Sequence, residues 1–283
     1  MYENIFIPNK IEKIGGKRLS KGFIKEKKLF SIITVVLNNK KFIEETINSV
    51  INQNSNFEYI IIDGGSTDNT VEIIKKYENR IDLWISEKDE GIYDAMNKGI
   101  ILSNGEYIGM INSGDSYKSK SLEIINNYIK RNNDIDFIFG SVQKKILKSG
   151  FSKNKLNWSF DFYPSHSSGF FVRSNVQKKI GLYNTKYKLS ADYDFFYKLI
   201  KQNYNGIATK KSEVIGNFRS GSYSSTFSFD EQFKEEIQIR IDNNQNRILI
   251  ILIIFLNFFS SKFQKKKLSF KCFLGLINLY LKI

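Results

Sequence analysis

The sequence predicts an α/β fold: a mostly parallel sheet flanked by helices, with a helical C-terminal tail. Three observations predict it. Short runs of Ile, Val, Tyr and Phe recur between residues 30 and 140, stretches with apolar residues at helical spacing stand between them, and Gly, Asn, Asp and Ser turns separate the two. Strands and helices alternating at this spacing are joined by right-handed crossovers into a parallel sheet.

Each element has its own warrant. Residues 31–37 (SIITVVL) are a continuous apolar run, the mark of a strand buried on both faces. A helix follows, with Glu44 and Glu45 in its first turn, where the helix dipole favours acids, and Ile43, Ile47, Val50 and Ile51 on one face. Residues 59–62 are a second buried strand, ending in Asp63-Gly64-Gly65-Ser66-Thr67-Asp68. That turn opens a helix containing Val71, Ile74 and Tyr77. A short strand lies at 83–85, and a helix covers 94–102 until Asn104-Gly105 stops it. Residues 107–111 form a fourth strand, ending in Asn112-Ser113-Gly114-Asp115; a helix at 119–131 and a strand at 137–139 follow.

Three segments result: a basic lead-in at 1–29, an α/β domain at 30–225 and a helical segment at 226–283. The last has no strand alternation. It holds a polar helix-like stretch at 230–246, then twelve residues at 248–259 that are Ile, Leu or Phe apart from Asn257, then Lys265-Lys266-Lys267. About 20 apolar residues are needed to span a bilayer, so this run is too short to cross one. Phe270, Phe273, Leu274 and Ile277 share a helical face opposite Lys271, Asn278 and Lys282. An apolar and basic helix pair of this kind suits the interface of a membrane. The alternative is a helix packed on the rest of the chain or on a second copy of it.

Composition removes several function classes. One Cys (Cys272) allows no intrachain disulfide, and with one His (His166) it excludes a zinc site built from His and Cys. Any metal would take mostly oxygen ligands, which points to Mg²⁺ or Mn²⁺. Neither G-x-G-x-x-G nor G-x-x-x-x-G-K-[ST] occurs, so a dinucleotide fold and a P-loop both lose their main support. The net charge is +14, but residues 1–29 carry +5 and residues 243–283 carry +7 with no acid, leaving +2 between them. A nucleic-acid binder spreads positive charge over its folded domain. Basic ends on a nearly neutral core instead favour an anionic membrane surface. Residues 1–29 contain no apolar run of the secretory kind. Together these lead to the expectation of a cytoplasmic protein peripheral to the inner face of the cell membrane.

Ligands of open α/β sheets bind outside the carboxyl ends of the strands, where Asp63 and Asp115 lie. Either acid alone is equally well read as an ordinary Asx-turn residue. Their surroundings are more specific. The runs SIITVVLNN, EETINSVINQ, EYIIIDGGSTDNT, SEKDEGIYDAMNKGI and NGEYIGMINSGD, in this order and spacing over residues 30–200, resemble the family 2 glycosyltransferases of the GT-A (Rossmann-like) fold. The likeness is to bacterial members that build lipopolysaccharide, capsule and exopolysaccharide.

The resemblance implies an inverting transferase that moves a hexosyl or N-acetylhexosaminyl group from a nucleotide-sugar, UDP-linked, to a saccharide on a lipid carrier. It places Asn38, Asp63, Asp94, Asn97 and Ser113 around the donor. Asp63 matches an acid that contacts the base; Gly64 stands where many members have a second Asp, and Leu37 where an aromatic residue is common. Asp115 matches the last acid of the metal-binding turn, with two of the usual carboxylates absent. His166 aligns with a His expected at the metal or the diphosphate, a structural role being the alternative. Asp192, before Tyr193 and Asp194, matches the catalytic base, with Ala191 in place of a Glu. A base is required because an acceptor hydroxyl attacks only as its proton leaves. The competing reading of Asp192 is a helix cap. The rival function is a nucleotide-sugar-binding protein without transfer.

Overall fold

A computed structural model describes residues 13–157, 167–219, 227–261 and 268–281. In chain order its elements begin with β1 (Lys13–Gly15), β2 (Phe30–Val36), α1 (Ile43–Ile51), β3 (Phe57–Asp63), α2 (Thr70–Lys76), β4 (Leu83–Ser86) and α3 (Ile92–Leu102). Then come β5 (Tyr107–Met110), β6 (Ser116–Tyr117), α4 (Ser121–Arg131), β7 (Phe137–Phe139), β8 (Ser141–Gln143), β9 (Leu147–Lys148), β10 (Phe170–Arg173) and α5 (Ser174–Ile180). The chain continues through α6 (Ala191–Lys201), β11 (Gly206–Ala208), β12 (Val214–Asn217), α7 (Phe229–Asp242), α8 (Arg247–Ser261) and α9 (Phe270–Leu281). The described residues form two compact units: 13–151, 167–185 and 204–219 in the first, 152–157, 186–203, 227–261 and 268–281 in the second.

The first unit is built on an eight-stranded sheet of order β1-β4-β3-β2-β5-β10-β7-β11, with a smaller sheet of order β6-β12-β8-β9. Strands β4, β3, β2 and β5 are parallel neighbours, while β1 and β10 run antiparallel to theirs. From β2 the chain moves outward through β3 and β4, then returns to place β5 on the other side. This reversal brings the carboxyl ends of β3, β2 and β5 together, the place where such sheets bind ligands. Every residue of β2 is buried, as its unbroken apolar run requires. Its two hydroxyls are paired, Ser31 with Glu58 and Thr34 with Tyr59 at 2.9 Å. Leu37, expected inside the strand, lies beyond its end and is 60% exposed.

Part of the expected lead-in belongs to this unit. Residues 13–15 add an edge strand to β4. Arg18 donates to the buried Glu58 carboxylate at 2.6 Å and to the Leu102 carbonyl at 2.9 Å. Its charge serves the fold rather than a free basic arm.

The second unit is helical. The division expected near residue 225 is not where the units part, because α6 packs with α7. Arg240 of α7 is fully buried, its guanidinium against the rings of Tyr193 and Tyr197 of α6, and it donates to the Leu156 carbonyl at 2.7 Å. The tail has two faces. Ile250, Ile253 and Ile254 of α8 pack with Phe233 and Ile237 of α7 and with Cys272, Phe273 and Leu276 of α9. Ile248, Leu252, Phe255, Leu256 and Phe259 share the other face of α8 and are exposed. No described helix is long and apolar enough to cross a membrane.

Candidate active site

Two turns and the loop after β2 meet at the switch point of the sheet. Asp63, the last residue of β3, is fully buried. Its Oδ2 accepts the N–H groups of Gly65 (3.1 Å) and Ser66 (2.9 Å) and the hydroxyl of Ser86 (2.7 Å). Its Oδ1 has no hydrogen-bond partner among the described residues. The carboxylate therefore closes the turn with one oxygen and keeps acceptor capacity on the other.

Asn38 adopts a left-handed backbone, φ 46°. Its Oδ1 accepts Thr67 N–H at 2.9 Å, and its own N–H donates to Ser66 Oγ at 2.7 Å. It stitches the β2 loop to the β3 turn. Asn39, not singled out from the sequence, donates from Nδ2 to the carbonyl and hydroxyl of Ser113 at 3.1 and 2.9 Å.

The Asn112–Asp115 turn follows β5. Gly114 has φ +100°, a region glycine enters without cost. Its N–H donates to Thr46 Oγ1 at 2.9 Å, and that hydroxyl donates to the Asp115 carbonyl at 2.8 Å. Asp115 is 3% exposed, and its Oδ1 accepts Arg219 N–H at 3.0 Å. Burial pushes its carboxyl up to about 7, against the pull of Lys144 and Arg219. Arg219 also donates from Nε to the Gly114 carbonyl at 3.1 Å, pairs with Glu45 and lies 4.0 Å over the Phe42 ring. Asn112 donates to Ser167 Oγ at 3.3 Å, while its buried Oδ1 has no partner among the described residues.

The sites predicted on α3 turn inward. Asn97 donates to the Tyr183 carbonyl and accepts the Tyr183 N–H, both at 2.9 Å, so the structure gives its amide to the fold rather than to an open site. Asp94 accepts Glu90 N–H at 3.1 Å and stands 3.2 Å from Lys98 Nζ. Lys98 also pairs with Glu87 at 2.7 Å and with Asp89. These two acids and Lys98 went unnoticed in the sequence, although they flank the GIYDAM run. Burial is also the main cause that raises the Asp89 carboxyl, to about 6.

In the second unit, Asp192 opens α6 and accepts Tyr193 N–H at 2.9 Å. Asp194 is buried and bound by Lys198 Nζ at 2.6 Å and Asn243 Nδ2 at 2.8 Å, which commits it to packing. The loop before α6 is held by Glu235 of α7, which accepts Lys188 N–H and Leu189 N–H at 2.7 and 2.8 Å. His166 lies outside the described residues.

Comparison with known proteins agrees with this arrangement. The family model described as glycosyl transferase family 2 matches residues 31–205. A PGL/p-HBAD biosynthesis glycosyltransferase of Mycobacterium tuberculosis is 29% identical over 179 residues, covering 59% of this chain and 68% of the relative. The poly(ribitol-phosphate) beta-N-acetylglucosaminyltransferase TarP of Staphylococcus aureus is 30% identical over 217 residues, 70% of this chain and 66% of TarP. Among solved structures, S. aureus TarS 1–349 in complex with UDP superposes with a TM-score of 0.61 at 17% identity, covering 81% of this chain and 70% of that one. The mannosyltransferase PcManGT of Pyrobaculum calidifontis, in complex with GDP-Man and Mn²⁺, gives 0.61 at 13% identity over 78% and 65%. With the strand order, the turns at its switch point and a family match over most of the sheet in agreement, the chain belongs to glycosyl transferase family 2 and is a glycosyltransferase of the GT-A fold.

Proposed function

We propose that the chain moves a sugar from a nucleotide-sugar donor, UDP-linked, to a saccharide on a lipid carrier, inverting the anomeric carbon, in the assembly of a cell-surface polysaccharide. The observation that carries this is the pair of acidic turns on β3 and β5, one on each side of β2. The names and titles of TarP, TarS and the mycobacterial relative support the donor class and the pathway type.

In this reading Asp63 accepts a hydrogen bond from the nucleotide through Oδ1, while Asn38 and Ser113 hold the loops against it. Asp94 and Asn97 keep α3 in place behind the site. Asp192 takes the proton of the acceptor hydroxyl as attack proceeds. Mg²⁺ or Mn²⁺ fits the β5 turn: the orphaned Oδ1 of Asn112 and the Asp115 carboxylate are oxygen donors of the kind these cations take. Bound there, the cation neutralises charge on the leaving diphosphate.

The test is a panel of nucleotide-sugars titrated with and without Mn²⁺, followed by transfer assays. Binding and Mn²⁺-stimulated transfer are expected; a chain that binds no donor overturns the reading. Binding without transfer or hydrolysis favours a sugar-nucleotide receptor instead, which the single carboxylate of the β5 turn would suit. Asp192→Asn should lower transfer about 100-fold or more with donor affinity unchanged. If Asp194→Asn does this instead, the base is misassigned.

Attachment to the inner face of the cell membrane is supported by the bare face of α8 and by seven Lys and Arg with no acid in residues 243–283. Truncation after Asn246 would strip Phe233 and Ile237 of their partners, so a surface variant is the cleaner probe. Leu252→Ser with Leu256→Ser, both on the exposed face of α8, should abolish sedimentation with phosphatidylglycerol vesicles at unchanged Tm. Wild-type protein that ignores the vesicles removes the claim.

A further inference from the structure

A pocket of about 470 Å³ lies in the first unit between the turn after β1 and the end of α2. Gly16, Lys17, Leu19 and Ser20 line one side of it, Lys75 and Lys76 the other. The N–H groups of Lys17 and Arg18 donate to the carbonyls of Ile81 and Asp82, which lead into β4. The pocket is therefore at the amino end of that strand, away from Asp63 and Asp115 at the carboxyl ends. Its charges are unequally engaged. Lys17 pairs with Asp82 at 3.0 Å, and Glu78 on the rim accepts Gly16 N–H at 3.0 Å. Lys75 and Lys76 have no ion-pair partner among the described residues.

The chain beside the pocket is apolar and basic at once. Phe23 N–H donates to the Ser20 carbonyl at 3.2 Å, with Gly22 at φ +81° in the turn between them, so Phe23 is carried back beside a residue that lines the pocket. Leu19, Phe23 and Ile24 are 56%, 41% and 78% exposed. Lys21, Lys25 and Lys27 stand among them, exposed and without an ion-pair partner among the described residues. Glu26, the one acid of residues 17–28, is taken by Lys28 at 2.8 Å. Lysine is depleted from protein–protein interfaces, and aliphatic side chains give a nucleobase no ring to stack on. Uncovered aliphatics set among unpaired lysines match the boundary between anionic headgroups and acyl chains.

We propose that this surface binds an anionic phospholipid. The pocket takes the headgroup phosphate between Lys75, Lys76 and the Ser20 hydroxyl, and Leu19, Phe23 and Ile24 enter the boundary beside it. The proposal deepens the membrane-attachment reading above and rests on it, giving the first unit a contact of its own. One weak anchor binds a membrane marginally and reversibly, and stable attachment takes two, so loss of either contact releases the chain.

The experiment titrates full-length Ile24→Trp with phosphatidylglycerol vesicles and reads the emission as the difference from wild type. A blue shift, with quenching by lipids brominated on their acyl chains, is expected with phosphatidylglycerol and not with phosphatidylcholine alone. Leu19→Ser with Ile24→Ser should weaken partition into the vesicles about tenfold or more. Lys75→Gln with Lys76→Gln should also weaken it about tenfold or more, a few-fold for each lysine near an anionic surface. Both double variants should keep the wild-type Tm. An introduced indole that stays in water while the chain sediments with the vesicles overturns the proposal and leaves the α8 contact standing. Wild-type protein that ignores the vesicles overturns both. Glycerol 3-phosphate that binds the wild type, is lost with the two lysines and finds no counterpart in vesicle binding gives the pocket to a soluble phosphate and overturns the lipid assignment. Self-association that disappears in Leu19→Ser with Ile24→Ser, with vesicle binding unchanged, gives the surface to a second copy and overturns it too.

Discussion

The two turns at the switch point each end a parallel strand and carry one buried aspartate, yet they are held by different means. The β3 turn closes on itself. Asp63 accepts N–H groups two and three residues ahead, and Asp68 accepts Thr70 N–H at 3.1 Å. The β5 turn is closed from outside. Thr46, 69 residues away in sequence, bonds the Asp115 carbonyl, and Arg219, 104 residues away, bonds its carboxylate. A locally closed turn exists as soon as its strand is in place, whereas the other forms only when α1 and β12 have docked. The difference teaches where function costs stability: the self-closed turn gives one oxygen of its acid three donors, and the remotely closed one buries an acid whose carboxyl is pushed up by that burial.

The largest effects should come from breaking that asymmetry at Asp115. Asp115→Ala should cut Mn²⁺-stimulated transfer about 100-fold or more, in line with loss of charge stabilisation at a leaving group. Asp115→Asn should have the same effect on transfer but the opposite effect on stability. With a folded carboxyl at about 7 and an unfolded one near 3.9, the unfolded chain loses its proton first as pH rises. Stability falls between those values, and above pH 7 the full cost, on the order of 4 kcal/mol, is present. Asn carries no charge to bury, so the variant should melt several degrees higher at pH 8 and close to wild type at pH 4. Thermal melts across that range check the sign. A variant less stable at pH 8 would mean that the ionised carboxylate of Asp115 stabilises the fold more than its burial costs.

The counterpart at the β3 turn is smaller and of one sign. Asp63→Ala removes the acceptor of three hydrogen bonds and should destabilise the protein by about 3 kcal/mol. It should also weaken binding of free UDP as much as of the sugar donor, because the contact is to the nucleotide. Unchanged affinity for free UDP in a folded variant would remove Asp63 from the donor site.

The same contrast explains what was legible in the sequence. Asp63, the DGGSTD turn and the strands of the parallel core announce themselves over a few residues, because continuous apolar runs and turn residues act locally. Arg219 and Thr46 do not: their roles arise from tertiary closure, and nothing in the residues around them signals it. Asn97 shows the converse. It sits in a distinctive motif, yet both ends of its amide go to the Tyr183 backbone 86 residues on. The tail was legible in composition but not in packing. Eleven apolar residues in a run of twelve look uniform until one face of α8 is found against α7 and α9 and the other exposed. Asp192 and Asp194 are two residues apart in one motif, and only Lys198 and Asn243 reveal that the second is spoken for.

The smallest effect should fall on Asn38, which joins the β2 loop to the self-closing turn without belonging to it. Two contributions are combined at this position. One is the hydrogen bond from Thr67 N–H to Oδ1 at 2.9 Å, at an exposed site. The other is a left-handed backbone, φ 46°, which Asn tolerates and which costs an alanine roughly 1 kcal/mol. Asn38→Gly removes the side chain but keeps the backbone permissive, so it should cost no more than about 1 kcal/mol, the hydrogen bond alone. Asn38→Ala loses both and should cost about 1 kcal/mol more than the glycine variant. Donor affinity should follow the same order, since the loop is displaced in proportion. Equal melting temperatures for the two variants would show that the left-handed conformation is not required. The β2 loop would then be fastened to the turn by the backbone N–H bond that Asn38 makes to Ser66 Oγ, which both variants keep.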